Sequence, residues 1–139
     1  MKKWTVLSLV LVLLLSLCGC QKQETMSSDY VATDVKNVEI RIEDVSPAGA
    51  VVTIRDTNQE PYIYGEWYRV EKKEGISWSI VEPIIGAFGF NDIGYIVDEN
   101  GEVKFDIDWT WLYGELTPGT YRILKQAGGK SVAVSFEIN

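Results

Sequence analysis

The stretch Leu116-Thr117-Pro118-Gly119-Thr120-Tyr121 constrains the fold more than any other part of the chain. Pro118 presets φ for a turn and Gly119 supplies positive φ at no steric cost, so the backbone reverses just before Tyr121 enters the alternating run Tyr121-Arg122-Ile123. That pattern has the look of a tyrosine corner, in which a Tyr opening a strand returns its hydroxyl to backbone a few residues upstream and pins a crossover between two sheets. Upstream, Asp108-Trp109-Thr110-Trp111-Leu112-Tyr113-Gly114 forms an aromatic turn that joins the corner to Val103, Phe105 and Ile107. Leu116, Pro118, Gly119 and Tyr121 therefore count as structural residues.

The rest of the chain supplies strands to cross over. Val38, Ile40 and Ile42 alternate with charged neighbours, Ser46-Pro47-Ala48-Gly49 turns the chain, and Ala50, Val52 and Ile54 alternate in turn, which predicts a hairpin. From Tyr62 to Lys73 a longer run is interrupted by Gly65, a position for a bulge. Beyond it Tyr68 and Val70 share one face, while Trp67, Arg69 and Glu71 share the other, taken as the solvent side. Alternation of Ile76, Trp78 and Ile80 with serines puts Trp78 inward. Residues 83–92 are apolar, with two Gly and no period, and read as a connection folded over one end of the domain, with a ligand-gripping loop as the alternative. Asp98-Glu99-Asn100-Gly101 between Tyr95-Ile96-Val97 and Val103-Phe105-Ile107 predicts a hairpin, because Asn-Gly between alternating runs is the strongest short-range signal for one. Gly128-Gly129 turns a last hairpin into Val132, Val134, Phe136 and Ile138. About seven or eight short strands, with no amphipathic run long enough for a packed helix, mean an all-β antiparallel sandwich with Greek-key connections. The corner before the penultimate strand favours the immunoglobulin-like form.

The N-terminus reads differently. Met1-Lys2-Lys3 is basic, Val6 to Leu17 is an almost unbroken apolar run shorter than the roughly 20 residues of a spanning helix, and Leu17-Cys18-Gly19-Cys20 follows at once. Gly19-Cys20 resembles the lipobox of bacterial lipoproteins, in which the thiol of the Cys takes a diacylglyceryl group before cleavage. The expected organisation is a lipoprotein signal peptide over 1–19, a lipidated Cys20 with a polar tether over 20–36, and the sandwich over 37–139. A plain secretory leader or an uncleaved anchor is the alternative. Loss of Lys2 and Lys3 takes two positive charges from a chain of formal charge −7, leaving −9. So acidic a domain is a poor ligand for nucleic acid. With Cys18 gone and Cys20 acylated, no disulfide is available and stability rests on the core.

Tyr64-Gly65-Glu66, Tyr68-Arg69-Val70-Glu71-Lys72-Lys73, Trp78, Asp92-Ile93-Gly94-Tyr95, Phe105-Asp106-Ile107-Asp108-Trp109, and Trp111-Leu112-Tyr113-Gly114 through Tyr121-Arg122-Ile123 together resemble a bacterial Ig-like domain family found in lipoproteins and extracytoplasmic regions of Gram-positive bacteria. The resemblance covers roughly residues 37 to 138. It implies an Ig-like fold at the cell surface and no particular reaction. Trp67 stands where the family usually has a polar residue.

Chemistry is sparse. The chain has no His, which excludes most hydrolytic triads and zinc sites. Asp106 and Asp108, two apart on one strand face, invite a calcium or glycosidase reading, but such a face is more often merely solvated. A Ser-Lys dyad is formally open, and Glu71-Lys72-Lys73-Glu74 is a charged turn. Of the five Trp, Trp4 belongs to the leader, Trp78, Trp109 and Trp111 fall where a core or corner wants them, and Trp67 alone is expected in solvent. Trp67 beside Arg69 is the candidate binding pair. The expectation is a lipid-anchored, non-enzymatic module on the extracytoplasmic face of the cell membrane, needing no cofactor or metal and binding an envelope or surface protein. A cell-wall glycan module using Trp67 with nearby Tyr is the alternative, and an uncharacterised hydrolase the third.

Overall fold

The computed structural model describes residues 31–139. The leader, Cys20 and residues 21–30 of the tether lie outside the described residues. In order, the elements are β1 (Val38–Ser46), β2 (Gly49–Asp56), β3 (Tyr64–Gly65), β4 (Arg69–Glu74), β5 (Ser77–Ile80), β6 (Gly94–Tyr95), β7 (Glu102–Asp108), a single helical turn α1 (Thr110–Tyr113), β8 (Gly119–Ala127) and β9 (Lys130–Ile138). One sheet runs β1-β2-β7, the other β5-β4-β8-β9, and β3 pairs with β6 as a separate ribbon. All these pairings are antiparallel. β7 lies beside β2 and β8 beside β4, each passing over strands that intervene in sequence, which is the Greek-key pattern of an immunoglobulin-like sandwich.

The alternation that marks each strand also builds the core. Val52 and Ile54 of β2, Val103, Phe105 and Ile107 of β7, Val70 of β4, Tyr121 and Ile123 of β8, and Phe136 and Ile138 of β9 are buried between the sheets. Each such aliphatic or aromatic side chain contributes about 1.5–3 kcal/mol relative to exposure. At Gly49 a Cβ would stand 2.2 Å from the Ile107 carbonyl oxygen, so β2 and β7 meet there only because no side chain intervenes.

One end of the sandwich is closed by an aromatic stack. Trp109 is fully buried, lies parallel to Phe136 at 5.4 Å between centroids, and donates from Nε1 to the Pro47 carbonyl at 2.7 Å. Tyr121 also stacks on Phe136, at 5.7 Å. Its hydroxyl donates to the Thr117 carbonyl at 2.7 Å, and Gly119 between them has φ +156. Leu116 is buried, and its N–H donates to the Pro47 carbonyl at 2.9 Å.

Several sequence expectations are corrected. Tyr95-Ile96-Val97 does not form a ladder with β7: the turn is made, with Asp98 N–H donating to the Glu102 carbonyl at 2.8 Å, but Tyr95 pairs with Tyr64 of β3 instead. Ile76 is not on a strand face but is 99% exposed in the tight β4–β5 turn. Trp78 is not core: it lies half-buried on the outer face of the four-stranded sheet, with the Arg122 guanidinium 4.7 Å from its ring centre. Glu71 points to that same outer face, as alternation requires, yet is fully buried there. Arg69 at 2.8 Å and Arg122 at 2.6 Å hold its two oxygens, and this bidentate pairing offsets the desolvation of the carboxylate.

Two further polar groups are buried. Asp56 accepts from the Tyr64 hydroxyl and the Tyr62 N–H, each at 2.8 Å, and from the N–H and side-chain amide of Asn58. Burial pushes its carboxyl up, but these hydrogen bonds outweigh it and hold the group below its ordinary range. Lys125 faces inward from β8, with Nζ 3.7 Å from the centre of the Phe105 ring and donating to the Gly65 carbonyl at 2.6 Å. It thereby ties the β3–β6 ribbon to β8, and burial pushes its ammonium down to about 8 despite the opposing field of Glu66.

Candidate binding site

Trp67 and Arg69 do not form an exposed pair. Trp67 falls in the gap between β3 and β4, not within a strand, and is half-buried. The interruption resets the alternation, so the phase counted back from Arg69 and Glu71 does not reach it. Arg69 is half-buried and engaged with Glu71.

Among the described residues the exposed tryptophan is Trp111, at 42%. Period-2 counting places it beside Trp109, in the core. The chain instead makes one helical turn, so Leu112 and Tyr113 turn inward with Trp109 while Trp111 points out. Asp108 starts that turn, its Oδ1 accepting from the Thr110 N–H at 2.8 Å and hydroxyl at 2.5 Å. These bonds, the hydroxyl's foremost, hold the Asp108 carboxyl below the usual range. The Asp-x-Thr spacing was the available sequence signal for a local helical start.

Around Trp111 gathers the apolar loop 83–92. The Ile84 N–H donates to the Leu112 carbonyl at 2.8 Å, fastening the loop to α1. Phe88 and Phe90 meet edge to face at 6.3 Å, and each does the same with Trp111, at 6.4 and 5.7 Å. Phe90 packs inward on Tyr68 at 5.1 Å, and the Tyr68 hydroxyl donates to the Asp108 carbonyl at 3.3 Å. Phe88, Ile84 and Ile93 remain 48%, 64% and 49% exposed. Phe88 and Trp111 thus face solvent beside one another, and Phe90 joins both of them to Tyr68.

Beside this patch runs a groove of about 290 Å³ along β7, walled by Glu66, Tyr68, Phe90, Tyr95 and Trp111. Glu66 is held in place by the Tyr95 hydroxyl at 2.8 Å and the Asn91 amide at 3.0 Å. Lys104, Asp106 and Asp108 line the opposite side. No cluster of three or more His, Cys, Asp or Glu suited to a metal occurs among the described residues.

A two-sheet sandwich with a tyrosine hydrogen bond at the head of β8 and an apolar loop face beside β7 defines an Ig-like interaction module. A bacterial Ig-like domain model matches residues 34–138, and the chain belongs to that family. Its members are typically extracellular or surface domains and generally non-catalytic. None of the curated proteins matches the chain. Among solved structures, the sulfur carrier protein SoxY from Chlorobium limicola f thiosulfatophilum overlaps 79% of this chain and 80% of its own, at 13% identity and a TM-score of 0.32, a likeness too distant to bear on fold or function.

Proposed function

We propose that the protein is a lipid-anchored, extracytoplasmic binding module without enzymatic activity, and that it engages an envelope or surface protein through the face built by Ile84, Phe88, Phe90 and Trp111. The observation that carries this is the set of mutual ring contacts holding Phe88 and Trp111 exposed together. Burying such a surface against a partner gains about 25 cal/mol per Å² of apolar area, and aromatic residues pre-ordered by their neighbours lose little entropy in doing so. Diacylation at Cys20 supplies the anchor, two acyl chains holding stably where one binds only marginally. A photo-crosslinking residue placed at Phe88 of the full chain in living cells tests the reading, with the same residue at Ile76 as reference. A discrete adduct from position 88 and none from 76 supports it; equal labelling from both overturns it.

One observation favours a second reading, a cell-wall glycan module. Trp111, Phe90 and Tyr95 share a groove with Glu66, Asp106 and Asp108, and ring faces beside carboxylates suit a sugar. Trp67 lies outside that groove. Soluble cell-wall oligosaccharide would then abolish the position-88 adduct by competition.

A further inference from the structure

β7 is the last strand of its sheet, paired only with β2. The phase of its backbone is fixed at both ends, because Asp56 N–H donates to the Gly101 carbonyl at 2.8 Å and Trp109 N–H to the Ala48 carbonyl at 3.1 Å. In an antiparallel ladder hydrogen-bonded pairs alternate with non-bonded ones. Val103, Phe105 and Ile107 therefore bond to β2, while Glu102, Lys104, Asp106 and Asp108 turn both backbone groups to the open edge. Glu102 is satisfied there, its N–H donating to Asp98 Oδ1 at 2.9 Å and its carbonyl accepting from Asp98 N–H at 2.8 Å. The Asp108 carbonyl accepts from Tyr68. Between these two, no hydrogen bond among the described residues reaches the outward N–H and C=O of Lys104 or Asp106.

The opening exists because a hairpin was started and abandoned. After the Asp98–Glu102 bond the preceding segment leaves β7, Tyr95 joins Tyr64, and the groove separates β7 from the wall of Glu66, Tyr68, Phe90, Tyr95 and Trp111. We infer that this groove receives an extended peptide segment of a partner protein as an added strand on β7, a segment in which Lys or Arg alternates with apolar residues. The inference rests on the protein-binding reading and gives it a mode.

Backbone groups of Lys104 and Asp106 supply the pairing, as in other cases of strand addition to a sheet edge. Charge selects the segment: Glu66, Asp106 and Asp108 face the groove against Lys104 alone, on a chain of net charge −7. Charged side chains along a free edge discourage apolar strands from joining it. The same charges favour a strand of opposite sign, since cross-strand ion pairs stabilise pairing. An apolar residue of the added strand finds Phe90 and Trp111 beside the edge.

The test uses the full chain in detergent micelles and blocked seven-residue peptides labelled for fluorescence anisotropy. The parent alternates Lys and Val; two derivatives carry N-methyl groups on the odd or the even residues, and a fourth peptide alternates Glu and Val. The parent is expected to bind saturably, one N-methyl derivative at least tenfold more weakly and the other nearly as well, because only one edge of the peptide faces β7. The Glu-Val peptide is expected at least tenfold weaker. Asp106→Pro removes an outward N–H and no bond to β2, a placement that edge strands tolerate, so it should lower parent binding at least tenfold with the protein still folded. Equal binding by both N-methyl derivatives, or no peptide binding at all, overturns strand addition. If the position-88 adduct survives that result, the module reading stands and only its mode falls; if the adduct is also absent, both fall.

Discussion

The hydroxyl of Tyr121 donates at 2.7 Å to the carbonyl of Thr117, four residues earlier in the chain. Because the same ring stacks on Phe136, which stacks on Trp109, which bonds to Pro47, this one contact links the start of β8 to β9, the end of β7 and the β1–β2 turn. The rigid end so formed is the ground on which α1 stands, and α1 presents Trp111. Structure and candidate site therefore share a foundation but not residues.

Tyr121→Phe keeps the stack and deletes the hydroxyl. A hydrogen bond of this kind contributes about 0.5–1.5 kcal/mol net, so the denaturation midpoint should fall modestly while the position-88 adduct is unchanged. A midpoint equal to that of the wild type would show that the bond contributes nothing.

Two tryptophans two residues apart should behave oppositely. Trp109→Ala empties a fully buried site and is expected to destabilise by about 3–5 kcal/mol. Trp111→Ala removes an exposed ring and should cost only about 0.5 kcal/mol of stability, but more than about 1 kcal/mol of partner binding. Thermal melts of the two variants beside a binding titration decide the matter. Comparable losses of stability would return Trp111 to the core.

The contrast shows what the sequence made legible. Strands that alternate without interruption, such as β7 with Val103, Phe105 and Ile107, were readable because period 2 fixes every face at once. Trp67 and Trp111 were misread for a common reason: each sits where the period breaks, Trp67 in the gap after β3 and Trp111 in a helical turn. Glu71 faced the outer side as alternation required, but its burial depends on Arg122 of a strand far along the chain. The Asn100-Gly101 turn was likewise legible, while the desertion of Tyr95 to β3 was not, since pairing between distant segments leaves no local mark. The groove arises from that desertion, so no motif announced it.

The proposed lipidation at Cys20 predicts a fractionation result. The native chain should enter the detergent phase and incorporate labelled fatty acid, and Cys20→Ser should do neither, because the thiol is the acceptor. Because the described fold begins well after Cys20, the variant's domain should melt at the wild-type temperature. A lipid label retained by Cys20→Ser would refute the anchor.

Asp56 gives a dependence on pH whose sign is fixed. Its carboxyl lies below the ordinary range in the folded state, and the unfolded value is about 3.9. A depressed folded value contributes stability that is present above the unfolded value and is lost as pH falls through the folded one. At neutral pH, Asp56→Asn weakens acceptors for Tyr62, Tyr64 and Asn58 and brings a new amide among buried donors, which should cost about 1–3 kcal/mol. As pH falls below the unfolded value the unfolded chain takes up the proton first and the folded carboxyl follows at lower pH, so the wild type loses the same advantage and the two proteins should converge. Asp98 and Asp108, also held low by hydrogen bonds, are common to both proteins and cancel in the difference. Urea midpoints of wild type and Asp56→Asn from pH 7 down to pH 3 provide the measurement. A gap that stays constant throughout would mean that the network round Asp56 stabilises the fold by shape and not by charge.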